Sequence, residues 1–145
     1  MLTEIRKKDG SLPSPHIITG VAGENAAAEY LVNNGYLIIC RNYKPYKQEV
    51  DIIAEKDQYI VFVEVKTRRE VCNSRYGRPA SAVTAKKRAN LAQAAQCFIR
   101  NFPSDKFYRF DIIEVLVCSD DRSGQGSYKI NHMKGVFGAK GRIWI

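Results

Sequence analysis

The chain has 145 residues, enough for one domain with a single core. Its hydrophobic fraction of 45% is that of an ordinary soluble globule. Lysine and arginine outnumber the acids by 23 to 15, and the resulting charge of +8 favours a polyanionic partner through counterion release, nucleic acid first among them.

No apolar run reaches the length needed to span a bilayer, and the N-terminus lacks the apolar segment of a signal peptide, so no membrane partner and a cytoplasmic location are expected. Cys40, Cys72, Cys97 and Cys118 are scattered, with only His16 and His132 beside them. That spacing supports neither a zinc site nor a disulfide framework.

In chain order, residues 1–18 are polar, contain Pro13 and Pro15 and show no period, which predicts a flexible basic arm ahead of a single domain over 19–145. Thr19 is the expected N-cap of a helix from Val21 to Asn33, ended by Gly35. Glu24 stands three, four and seven residues before Ala27, Ala28 and Leu31, which puts a carboxylate on the inward stripe of that helix. The bland alternative is an acid favoured by the helix dipole.

Tyr36–Tyr43 reads as a strand ending in Arg41-Asn42-Tyr43. After it Lys44, Tyr46 and Lys47 join Tyr43 in interleaving cations with aromatics, a pattern that can grip a backbone and stack on a base. Glu49–Glu55 and Tyr59–Arg68 read as a hairpin with a polar turn around Lys56-Asp57-Gln58. By strand alternation Phe62, Glu64, Lys66 and Arg68 share one face. If the register brings Asp51 round to Glu64, a group of carboxylates and one ammonium forms on the sheet, which is costly to bury without a partner or a metal. The structural alternative is an internal Glu64–Lys66 pair with Asp51 at a solvated strand end.

A basic loop follows from Arg69 to Ser81, with Arg75, Gly77, Arg78 and Pro79, placed as a substrate loop or lid. Within Ala82–Arg100 the alanine-rich run Lys86–Phe98 reads as a helix, and Lys86, Lys87 and Arg88 in its first turns oppose the helix dipole, a conflict that a nearby anion would relieve. Phe107–Val117 is a further strand, in which Asp111 is expected to pair with Arg109 or a neighbouring arginine in a structural role. Beyond Asp120 short strands and a loose basic tail remain equally open.

Asp51 followed by Glu64-Val65-Lys66 on the next strand resembles the PD-(D/E)XK nuclease signature. The wider set, Gly20-x-x-Gly23-Glu24, Gly35-Tyr36, Arg41-Asn42-Tyr43, Glu49–Ala54, Val61–Arg68, Gly77-x-Pro79, Ala82-Val83 and Lys87, resembles the YraN-like bacterial family, similar to archaeal Holliday-junction resolvases. Val50 stands where the superfamily name has proline.

The resemblance implies a restriction-endonuclease-like α/β sandwich, a central mixed sheet flanked by helices in the order α-β-β-β-α-β. It also implies metal-dependent hydrolysis of phosphodiester bonds in DNA, branched or junction DNA included. Asp51 and Glu64 would hold Mg²⁺ or Mn²⁺, Glu24 would join directly or through water, the Val65 carbonyl could add a ligand, and Lys66 would orient the attacking water. Glu49 would either assist the metal or be a solvated acid. Arg41, Tyr43, Lys47, Arg68, Arg78, Lys86 and Lys87 are the candidate nucleic-acid contacts. Whether two subunits combine as a homodimer is open, and two classes compete: a nucleic-acid-binding protein with a purely structural acidic cluster, and a small interaction protein with a general basic surface.

Overall fold

The structure, a computed structural model, describes residues 15–70, 84–118 and 127–136. The arm over 1–14, the loop over 71–83 with Arg78, and the tail over 137–145 lie outside the described residues. The elements run α1 (Pro15–Asn33), β1 (Leu37–Tyr43), β2 (Val50–Lys56), β3 (Tyr59–Glu70), α2 (Ala85–Asn101), β4 (Phe107–Cys118) and β5 (Ser127–Met133).

The strands form one sheet in the order β1-β2-β3-β4-β5. β1 to β3 are an antiparallel meander, β3 and β4 run parallel, and β5 returns antiparallel to β4. A parallel neighbour cannot be reached by a tight turn, so the chain crosses over between β3 and β4, and α2 lies on that crossover. The expected order is present, and β5 extends it by one strand.

The helices cover opposite faces of the sheet. Ala27 and Leu31 of α1 pack with Ile52, Ala54, Val61, Val63, Ile113 and Val115. Leu91, Ala94, Ala95 and Phe98 of α2 pack with Val50, Ile53, Phe62 and Phe110. β3 is thus buried on both faces, as its run of apolar residues at both parities requires. No described helix is long and apolar enough to cross a membrane.

α1 starts at Pro15 rather than after Thr19, taking in residues that composition assigned to the arm. Proline lacks an N–H and has φ fixed near the helical value, so it suits a first turn, where N–H groups have no helical partner anyway. At the other end Gly35 has φ +84°, and the N–H groups of Gly35 and Tyr36 donate to the carbonyls of Val32 and Leu31. This glycine stop delivers Tyr36 buried at the head of β1.

Candidate active site

The β2–β3 ladder runs from Lys56↔Tyr59 back to Ile52↔Val63, so Asp51 and Glu64 come next, facing each other where the pairing ends. There the backbone bond is replaced: Val65 N–H donates to Asp51 Oδ2 at 2.7 Å. Among the described residues the other oxygen of Asp51 has no hydrogen-bond partner.

Burial pushes the Asp51 carboxyl up to about 7; the Val65 bond opposes this, and the charges of Glu64, Glu24 and Glu49 add to it. Glu24 is likewise raised, first by burial and then by Glu49 and Glu64, with Arg41 and Lys44 pulling the other way. Four acids from α1, the turn before β2, β2 and β3 therefore feel one another.

Gly23 explains how α1 comes close enough. A Cβ at Gly23 would lie 1.9 Å from Thr67 Oγ1, so only glycine lets the helix sit against β3 at this point. Glu24 is the next residue and is half-buried.

Glu64 is 6% exposed, and its partner is Lys87 in the first turn of α2. Thr84 caps that helix, its Oγ1 accepting from Lys87 N–H at 3.2 Å. The helix has no acid in its first turn, and Glu64 supplies the anion there. The alternative Glu64–Lys66 pair does not form: half-buried Lys66 has no ion pair among the described residues. Glu49 is exposed and lies 3.6 Å from Lys44, a pair that solvent screens.

The remaining expected contacts separate. Arg41 donates to Asn25 Oδ1 at 2.8 Å beside Glu24, while Lys47 and Lys86 are exposed. The Tyr43 ring packs edge-on to Phe98, and burial beside Cys97 pushes its hydroxyl up to about 12. The exposed aromatic of that loop is Tyr46, at 92%.

Glu114 received no role from the sequence. It faces Lys66 in the parallel β3–β4 register and is 4% exposed. Asn131 donates to its Oε2 at 3.3 Å, the Arg68 guanidinium is 4.0 Å from Oε1, and Oε1 has no hydrogen bond among the described residues. The available signal was parity: Glu114 shares its strand face with Phe110 and Ile112, which are buried. Asp111, on the opposite parity, is the structural acid expected. Arg109 grips it with two bonds of 2.8 Å, and His132 and the Gly135 N–H complete its shell at 2.7 and 3.0 Å.

The chain matches the uncharacterised protein family UPF0102 over residues 23–115, a span that holds Glu24, Asp51, Glu64, Lys66 and Lys87. It is 40% identical over 127 residues to a UPF0102 protein of Chlorobium phaeobacteroides, covering 87% of this chain and 97% of that one. The chain belongs to the UPF0102 family. UPF0102 relatives of Syntrophomonas wolfei (41% identity, 81% of this chain and 96% of the relative) and Symbiobacterium thermophilum (46%, 71% and 86%) are similar over comparable spans. The YraN-like resemblance read from the motifs is this family.

As for a metal, no group of three or more His, Cys, Asp or Glu among the described residues stands close enough to hold one. Mg²⁺ is commonly bound through one or two carboxylates, with water and substrate phosphate filling the other positions. Asp51 and Glu64, adjacent and crowded by like charge, offer the hard oxygens such an ion prefers.

Proposed function

We propose that this chain is a metal-dependent nuclease that hydrolyses phosphodiester bonds of DNA, branched or junction DNA included. The observation that carries the reading is Asp51: a carboxyl raised to about 7 among Glu24, Glu49 and Glu64, at the point where a strand pair opens, is an acid that a bound cation would relieve. Asp51 and Glu64 would hold Mg²⁺ or Mn²⁺, with Glu24 reaching it through water. Bound there, the ion would neutralise phosphate charge and acidify a water molecule.

The chain's own groups do the rest. Lys66, unengaged by Glu64, orients the attacking water and faces the phosphate. Lys87, which balances Glu64 here, would be free to meet the substrate if a cation held that carboxylate. Arg41, Lys47, Arg68 and Lys86 position the backbone. Cutting both strands of a junction takes two such sites and hence two copies of the chain, which sedimentation with and without DNA reads directly. A DNA substrate fits the cytoplasmic location expected from the sequence.

The test is cleavage of junction, nicked, single-stranded and duplex DNA with Mg²⁺ or Mn²⁺, by the wild type and Lys66→Met. Because Lys87 already balances Glu64, the variant should fold and bind DNA as before. It should lose cleavage by about a hundredfold or more, the scale of removing one preorganised electrostatic or proton-transfer group. A variant that cleaves at the wild-type rate removes Lys66 from the mechanism. The Lys87–Glu64 pair also favours a second reading, a nucleic-acid-binding protein whose acids are structural. It predicts salt-sensitive DNA binding with no cleavage of any of these substrates in either metal.

A further inference from the structure

On the solvent side of α2 lies a cleft of about 430 Å³ lined by Tyr46, Gln48, Gln93, Gln96, Cys97, Arg100 and Asn101. Its floor is a helical stripe: positions 93, 96, 97, 100 and 101 follow the i, i+3, i+4, i+7, i+8 spacing of one face. Its wall is the tight turn Pro45–Gln48, closed by Gln48 N–H donating to the Pro45 carbonyl at 3.2 Å.

Within that turn Tyr46 has φ +59° and is 92% exposed. A bulky aromatic in the left-handed region costs energy, and one that also points its ring into water recovers nothing from packing. A ligand that stacks on the ring would supply what the fold does not.

The chemistry of the lining narrows the ligand. Gln48 Nε2 donates to Gln93 Oε1 at 2.7 Å, tying the turn to the helix. Both residues line the cleft, and the bond between them uses one end of each amide, leaving the Gln48 oxygen and the Gln93 NH2 as the acceptor and donor that this pair can offer a ligand. Arg100 adds a cation, and the lining includes no carboxylate. A metal ion would find no charged oxygen here, and an apolar peptide would find a wall made mostly of amides. A planar ring with alternating donors and acceptors, carrying a phosphate, matches all three elements: an aromatic face, an amide pair and an arginine.

We infer that this cleft takes an unpaired DNA base, splayed out of a duplex and stacked on Tyr46 with its edge read by Gln48 and Gln93. The inference rests on the nucleic-acid reading above and deepens it by naming the substrate class: DNA with a bulged, gapped or single-stranded nucleotide at the cutting site. Gln48 immediately precedes Glu49, so base and acids are served by one stretch of chain. Base–aromatic stacking tolerates any base, and the amide pair supplies orientation.

The test uses binding in EDTA, where no hydrolysis can intervene, to a duplex with one bulged 2-aminopurine and to a fully paired duplex of the same length. The wild type should prefer the bulged duplex about tenfold and quench its 2-aminopurine emission. Tyr46→Ala should lose the quench and the preference, within the roughly fivefold to 150-fold that removal of one base–aromatic stack produces. Tyr46→Trp should retain both, and Gln93→Leu should weaken the bulged complex alone. Tyr46 is on the surface, so these changes leave the fold intact. Equal affinity for the two duplexes overturns the cleft and leaves the nuclease reading standing, as does a preference that survives both Tyr46→Ala and Gln93→Leu. Failure to bind either duplex at low salt overturns both.

Discussion

Replacing Asp51 with asparagine should stabilise the metal-free protein above neutral pH and leave it nearly unchanged near pH 4. The folded protein keeps the Asp51 proton up to about pH 7, whereas an unfolded carboxyl of this type releases it near the ordinary value of 3.8. Between those values the folded state binds more protons, so stability falls as pH rises through the window and is level above it. At 1.36 kcal/mol per pH unit the wild type gives up about 4 kcal/mol at most across this interval. Asparagine has no proton to lose, and its carbonyl can still accept from Val65 N–H. Thermal melts at pH 4.5 and pH 8 should therefore show a gap that opens with pH, to an upper bound on the order of 10 °C in favour of the variant. Mn²⁺ at a hundredfold excess over its dissociation constant should raise wild-type stability by about 2.7 kcal/mol, and this gain should vanish in the variant. A gap that does not change with pH, or a variant less stable at pH 8, would refute the crowded-acid account; an unchanged Mn²⁺ effect would place the metal elsewhere.

Other changes test the surrounding parts. Lys87→Met leaves buried Glu64 without its cation and should lower stability by about 1–3 kcal/mol in urea melts, with Mg²⁺ restoring part of the loss; full stability without metal would mean the pair carries no weight. Gly23→Ala drives a methyl into Thr67 and should cost roughly 1–3 kcal/mol. Adding Thr67→Ala, which removes the nearest colliding atom, should recover part of that loss, and additive losses would deny the contact. Burial pushes the Asp111 carboxyl up, but bonds from His132, Arg109 and Gly135 hold it below the usual carboxylate range. Its contribution is present above pH 3.8 and is lost as pH falls through its lower folded value. Asp111→Ala should therefore cost about 3–5 kcal/mol at pH 7, and the gap should narrow in acid; a gap constant with pH would contradict the assignment.

What the sequence made legible here is what strand geometry alone decides. Period two put Glu64 and Lys66 on one face, and a two-residue turn with Asp57 at φ +52° fixed the register that sets Asp51 opposite Glu64. The cations at the start of α2 announced an anion, and Glu64 is that anion. The identity of its partner was not legible: Lys66 is two residues away along the strand, whereas Lys87 arrives through the crossover, whose path no local rule gives. Glu114 was hidden for the same reason, since its significance lies in the parallel register with Lys66. Tyr43 and Tyr46 look alike in sequence. They differ because Tyr43 ends a strand that faces α2, while Tyr46 sits on the turn beyond it.

β3 pairs with β4 along its whole length, whereas its pairing with β2 stops at Val63, opposite Ile52. The two sides of the acidic site therefore differ in compliance. By strand alternation the Val65 amide points to Asp51 and those of Glu64 and Lys66 point to β4; the latter two lie in the continuous pairing and should exchange with deuterium only on global opening, while those of Glu49 to Asp51 should exchange through local fraying. Adjustment to a bound ion or phosphate then belongs to the Asp51 side, with β3 as the fixed reference against which it moves. Equal protection of the two segments would mean that the site is stiff throughout.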